Sequence, residues 1–416
     1  MFYNGCKDKF GIGGNDMKKY VWLFVMSLFI VTLFASTAGA NEKKQIGVHS
    51  VKKGLEVQKE LPSTMPRFIF DSGYNFEYPD AVRGIYVTGH SAGGERFQTL
   101  LQLVESTDLN AMVIDIKDDH GYLTYIPDSE SPYKDISQPY IRNIESMMKT
   151  LEEKQIYPIA RIVVFKDTVL ANKRPELSFL DNEKVWLNNR NEAFVNPFMK
   201  EVWDYNINIA IKAAKLGFKE IQFDYVRFPE GFERRDEQLQ FSYGEYEKLD
   251  MNNIQKRVES VSNFVEYARE KLQPYGVDVS VDIFGYTATL PEAPGIGQNF
   301  SRISEHVDVI SSMIYPSHWT AYFGIPKPDL EPYRLVAEYA KFENQRLDEL
   351  ENRPISRPWI QDFTASWLGN GNYIPYGKNE VEAQIRALNE NGINEFLLWN
   401  AGNRYTQGVN YKPLGE

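Results

Sequence analysis

PFMKEVWDYNINIAIKAAKLGFKEIQFDYVRFP (197–229) reads as one structural unit. Residues 197–216 carry a helical pattern. Gly217 stands where a helix-terminating glycine is expected. KEIQFDYVRFP (219–229) then reads as a strand, rich in Ile, Phe, Tyr and Val and lacking clean polar alternation. That composition fits a parallel strand buried on both faces. The unit recurs along the chain. Further β-type runs are VRGIYVTG (82–89), AMVIDIKDD (111–119), YPIARIVVFKD (157–167), VDVSVDIFGYT (277–287), VDVISSMIYPS (307–317), RPWIQDFTAS (357–366) and INEFLLWNAG (393–402). Helical patterns at 95–105, 139–154, 245–272, 331–350 and 379–390 lie between most of them. Gly276 and Gly392 follow two of these helices as Gly217 follows the first. Strand–helix alternation implies parallel pairing with right-handed crossovers. Eight such strands predict an α/β fold, a (β/α)8 TIM barrel forming a single domain over 81–405. An open doubly wound sheet is the alternative. No Gly-rich phosphate loop opens a helix, which counts against a dinucleotide fold. Little chain follows Asn400, so the eighth helix is short or missing. Residues 41–80 form a polar lead-in expected to cover that gap, and 406–416 a C-terminal tail.

Composition narrows the function. The chain has 416 residues, 43% hydrophobic and 25% charged, as globular proteins do. Its net charge of −11 attracts no polyanion, so nucleic acid is not an expected partner. With one cysteine, no intrachain disulfide and no cysteine-based zinc site can form.

MKKYVWLFVMSLFIVTLFASTAGANEKK, from Met17, has the layout of an export signal. Lys18 and Lys19 are the basic start, Tyr20 to Phe34 the apolar run and Ala38-Gly39-Ala40 the cleavage site. The run is short for a membrane span, which takes about 20 residues. Residues 1–40 are therefore expected to be a signal region. Met17 is read as the true start, and the mature product as cysteine-free and secreted, extracellular or wall-associated. Membrane contact arises only if the signal stays uncleaved.

A barrel of this kind places its chemistry at the carboxyl ends of the strands. Asp115, Asp224 and Asp282 each interrupt an apolar run there. A buried carboxylate costs several kcal/mol unless it is paired or hydrogen-bonded. Perturbed carboxylates cluster at functional sites. Glycoside hydrolysis needs two: one protonates the leaving oxygen, the other attacks the anomeric carbon or activates water. Arg161 or Arg227 is expected to keep one acid charged while burial raises the other. Trp186, Trp319, Trp367 and Trp399 fall in or beside the upper loops, where flat side chains can stack on sugar rings. His90, His120 and His318 map there too, but no His-x-His or His-Glu-x-x-His spacing occurs, so neither metal nor cofactor is expected. Gly89-His90-Ser91-Ala92-Gly93 narrowly misses a nucleophile elbow, and Asp362 has no His after it to complete a triad.

VRGIYVTGHSAG, VIDIKDDHG, ARIVVFKD, IQFDYVRFPEGF, SVDIFGYT and MIYPSHW together resemble a bacterial family of glycosyl hydrolase-like domains. The resemblance spans roughly 80–402 and implies a (β/α)8 barrel related to the glycosidase barrels. The α-amylase superfamily is a looser analogue, with acids after strands 4, 5 and 7. Asp224, Asp282 and Asp362 hold those places here, with Gln361 where that superfamily usually has His. The sequence thus predicts a secreted hydrolase of a carbohydrate polymer. Asp224 is its nucleophile or base, Asp282 its general acid and Glu230 a reserve acid. Asp115, Arg161, Arg227, Glu230, Tyr315, His318, Trp319, Gln361, Asp362 and Trp399 would bind substrate or tune charge. A non-catalytic glycan-binding barrel is the alternative from another class.

Overall fold

Eight parallel strands close on themselves in the computed structural model, which describes residues 69–414. They are β1 (Arg83–Val87), β2 (Ala111–Lys117), β3 (Tyr157–Val163), β4 (Glu220–Asp224), β5 (Asp278–Phe284), β6 (Val309–Met313), β7 (Trp359–Gln361) and β8 (Phe396–Trp399). Each pairs with the next, and β8 returns to β1 through Arg83↔Phe396. The open-sheet alternative is thereby removed. The helices are α1 (Arg96–Glu105), α2 (Ile144–Glu153), α3 (Lys200–Lys215), α4 (Asn253–Leu272), α5 (Phe300–Ser304), α6 (Pro332–Asp348) and α7 (Lys378–Glu390). Gly217 takes φ +107° and Gly392 φ +78° at the α3 and α7 exits, a left-handed turn that other residues adopt at a cost.

Two expectations needed revision. The helix expected from 139 starts only at Ile144, where Asn143 accepts the Ser146 N–H as an N-cap. Residues Ser137–Ile141, with Pro139 inside, instead pair with Leu123–Tyr125 beside β2. Residues 69–80, the described part of the lead-in, lie elsewhere than the place of an eighth helix. Phe70 donates its backbone N–H to the Pro274 carbonyl, and Lys219 Nζ donates to the Tyr74 carbonyl. Tyr78 reaches Glu395 and Arg357. The described part of the lead-in therefore crosses the amino-terminal end of the barrel. The tail packs beside β8 instead. Buried Tyr411 lies against Phe396, Lys412 approaches Asp108, and the Asn410 N–H reaches Glu382 on α7. Gly89–Ala92 forms a short helix capped by Thr88, so the elbow-like motif is used as a local turn. The signal region lies outside the described residues. Among the described residues, no helix is long and apolar enough to cross a membrane.

Inward-facing side chains divide the barrel interior into levels. The lowest holds Tyr157, Glu220, Asp278, Arg357 and Glu395, all buried. Small and apolar residues such as Gly84, Ala111, Val113, Ser280 and Leu397 fill the middle. Asp115, Arg161, Asp224, Asp282 and Trp399 occupy the top, towards the carboxyl ends of their strands, with Trp359 from the short β7 beside them. A packed floor thus lies under the site.

Candidate active site

The top level opens into a cavity of about 610 Å³. That is an ordinary size for a small-molecule site. Asp224, Asp282, Arg161, Arg227, Glu230, Tyr315, His318, Trp319 and Trp399 line it, together with Asp119, Arg190, Tyr225, Phe284, Gly285, Tyr286, Tyr322 and Trp359. Nine of the positions singled out from sequence therefore share one chamber. Gly285 lets its wall close, since a Cβ there would stand 2.6 Å from the Met313 carbonyl oxygen.

Arg161 organises the chamber. Its side chain is 1% exposed. Nε and Nη2 donate to Asp224 Oδ2 at 3.0 and 2.6 Å. Nη1 donates to Asp115 Oδ1 at 2.7 Å, and Nη2 also to Asp119 Oδ1 at 2.9 Å. Burial disfavours the guanidinium's charge, but Asp224, Asp119 and Asp115 together push its pKa further up. Lys166 donates to Asp119 Oδ2 at 2.6 Å and stands over the Tyr225 ring. Asp115 lies behind Arg161 and does not line the cavity. Burial raises its pKa to about 6 against the pull of Arg161, while Tyr86 donates to its Oδ2 at 2.6 Å. The Asp115 side chain thus positions Arg161 rather than meeting a ligand.

The two central acids differ in what surrounds them. Besides Arg161, Asp224 receives the Tyr225 backbone N–H on Oδ1 at 2.6 Å. Tyr225 adopts φ +53°, a costly conformation for a bulky residue and one that marks functional turns. Phe223 pairs with Val281, so Asp224 and Asp282, each next along its strand, face the interior side by side. Neighbouring strands lie about 4.8 Å apart. Asp282 is 2% exposed, and its partner is Trp359, whose Nε1–H donates to Oδ1 at 2.7 Å. Burial, then the Asp224 charge, pushes the Asp282 carboxyl well above the usual range, with Trp359 and Arg161 opposing. Two carboxyls sharing a dry site cannot both ionise cheaply. The arrangement therefore offers one carboxyl matched by a guanidinium and, beside it, a second whose neutral form burial favours.

Aromatic and polar walls surround this pair. Trp399 stacks on Tyr86 at 4.2 Å and meets Trp359 edge-on at 5.5 Å. Burial, then Asp282 and Asp224, keeps the Tyr315 phenol protonated far above its usual range. Burial lowers the His318 pKa, favouring the neutral imidazole. Arg227 lies between the Phe284 and Tyr225 rings, and its Nη2 donates to Glu230 at 3.2 Å. Glu230 is 70% exposed, at the rim.

Gln361 and Asp362 do not reach the chamber. Gln361 donates to Asp329 and to the Phe363 carbonyl, and accepts from the Ser317 N–H. Asp362 accepts from the Thr406 N–H and hydroxyl, tying down the tail. Both side chains are therefore taken up by the packing around β7 and the tail, while Trp359 lines the cavity. Asp118 Oδ1 accepts three backbone N–H groups of its own turn, from His120, Gly121 and Tyr122. Tyr86, Asp119 and Trp359 were not chosen as site residues from sequence. Trp359 follows Arg357 by two in RPWIQDF, and that inward phase was the available signal.

Among curated proteins none matches the chain. Among solved structures, a hypothetical protein from Ruminiclostridium thermocellum ATCC 27405 is 35% identical, covering 48% of this chain and 96% of its own, with TM-score 0.40. The PgaB (BpsB) glycoside hydrolase domain from Bordetella bronchiseptica is 14% identical over 77% of this chain and 94% of its own, TM-score 0.53. A beta-galactosidase from the psychrophilic Marinomonas ef1 is 11% identical over 80% and 57%, TM-score 0.50. Likeness at such identity speaks for the barrel alone. The family model described as "Putative glycosyl hydrolase domain" matches residues 84–405, most of the chain and every strand of the barrel, and the chain belongs to that family.

Proposed function

We propose that the protein is a secreted glycoside hydrolase that cleaves an extracellular or cell-wall polysaccharide with two carboxyl groups. The observation that carries this is the unequal pair at the cavity floor. Asp224 is matched by two Arg161 donors. Asp282, next to it, has an indole N–H and no contacting cation. In this reading the Asp282 proton passes to the glycosidic oxygen as its bond to the anomeric carbon breaks. Asp224 supplies negative charge to that carbon, as nucleophile or as base to a water. Trp399 and Tyr315 form the aromatic floor on which the sugar ring rests. Arg227 and Glu230 meet substrate at the rim. The export-like segment from Met17 supports an extracellular substrate.

The test is reducing-end release from a panel of bacterial wall and exopolysaccharides, with glycan binding followed in parallel. Release of new reducing ends from at least one polymer is expected. Binding without release from any polymer would replace the hydrolase by a glycan-binding barrel.

A further inference from the structure

The loop after β7 holds an aromatic group that the catalytic chamber does not use. Trp367 is 64% exposed, the most exposed of the large hydrophobic residues described. A single exposed apolar side chain is normal on protein surfaces. This one is held in a defined pose. Its ring lies nearly parallel to Phe363, 5.8 Å away at 20°, which leaves its other face open. His318 meets Trp367 and Phe363 edge-on at 6.5 and 6.3 Å, and His318 lines the cavity. The aromatic surface thus continues outward from the chamber through one imidazole.

The loop is built to hold that position. Trp367 sits in a short turn whose base, Ala365, is fully buried. The Tyr376 N–H donates to Thr364 Oγ1, Asn372 Nδ2 to the Leu368 carbonyl, and Lys327 Nζ to the Gly371 carbonyl. FTASWLGNGNYIPYG (363–377) contains no charged residue, in a chain where a quarter are charged. The loop's own polar side chains are therefore hydroxyls and amides. That chemistry suits a neutral, hydroxyl-rich ligand with an apolar C–H face, as a sugar ring has. It does not suit a charged protein surface.

We propose that Trp367, braced by Phe363, forms a second sugar platform continuous with the chamber through His318, binding a further unit of the polysaccharide chain. This rests on the hydrolase reading for the chamber and adds that the substrate is a polymer laid across the β7 loop.

Affinity electrophoresis tests it. Wild type, Trp367→Ala and Phe342→Ala are run through gels containing hydroxyethylcellulose, glycol chitin or glycan strands from bacterial peptidoglycan. Phe342 is likewise exposed but lies on α6 and does not line the chamber. At least one polymer should retard wild type. Trp367→Ala should bind it roughly fivefold more weakly, the scale of one lost aromatic stack, and Phe342→Ala as wild type. Equal retardation of Trp367→Ala and wild type overturns the platform. So does an equal loss in Phe342→Ala, or no retardation of wild type by any polymer. Reducing-end release by wild type and Asp224→Asn from the same polymers reads the chamber separately. Weaker binding by Trp367→Ala without release by wild type keeps the platform and sinks the hydrolase. Asp224-dependent release with unchanged Trp367→Ala binding does the reverse.

Discussion

Two buried arginines sit at opposite ends of the same barrel. At the lower end Arg357 is fully buried. It donates from Nη1 to both oxygens of Glu220 at 2.8 and 2.7 Å, from Nε to Glu395 at 2.8 Å and from Nη2 to the Tyr78 hydroxyl at 2.9 Å. Tyr78 packs edge-on against Tyr157 and covers the group. At the upper end Arg161 meets three acids, with Lys166 on one of them, and among the described residues no other cation contacts them and none contacts Asp282 beside them. The lower cluster is closed, and Arg357 contacts both Glu220 and Glu395. The upper one is open to a cavity, and one of its acids, Asp282, meets an indole N–H in place of a cation. The same residue types therefore serve packing at one end and chemistry at the other. The difference lies in access and in the unmatched proton.

Substitutions can break that contrast. The largest effect is expected from Asp224→Asn, with kcat falling by at least about 10³-fold and the circular dichroism spectrum unchanged. Asp282→Asn should cost about 10²- to 10⁴-fold, the range of a lost general acid. Glycan binding should survive both. Arg357→Met leaves Glu220 and Glu395 buried without their cation. It should lower unfolding free energy by about 3–5 kcal/mol in urea titrations. Its kcat per folded molecule should stay near wild type. Arg161→Met should lose both stability and turnover, since Asp224 loses two donors at once.

Protonation sharpens the contrast further. The acid role needs Asp282 protonated, and its pKa is raised by burial and by Asp224. kcat/KM should therefore fall as pH rises through that raised value, and Asp282→Asn should lack this alkaline limb. Asp115 affects stability instead. Its pKa, about 6 against a usual 3.8, means that the folded chain keeps a proton that the unfolded chain releases. That contribution favours folding at low pH and is lost as pH rises from about 4 to about 6. Asp115→Asn should flatten this part of the stability profile. The smallest effect is expected from Glu230→Gln at the exposed rim, less than about tenfold in kcat/KM.

The barrel was legible because parallel strands buried on both faces announce themselves as apolar runs, and each acid inside such a run stood out. Asp224, Asp282 and Arg161 were found that way. Asp362 was misplaced because position after a strand does not say which way a side chain turns. β7 is short, and Trp359, three residues earlier and so in the opposite phase, faces the chamber. Asp119 closes the run 111–119 beyond the last residue of β2 and interrupts nothing apolar, so only the fold brings it to Arg161. The closed lower cluster was not anticipated. Tyr78, Glu220, Arg357 and Glu395 come from four distant segments, and nothing local joins them.

The central claim is the split between the two upper acids, and carbon-13 NMR of aspartate-labelled protein tests it most directly. Wild type should show at neutral pH a protonated carboxyl resonance that disappears in Asp282→Asn, whereas Asp224→Asn should make Asp282 easier to ionise. If Asp282 titrates in the ordinary carboxylate range, unaffected by Asp224→Asn, the site holds no poised acid and the two-carboxyl account is wrong.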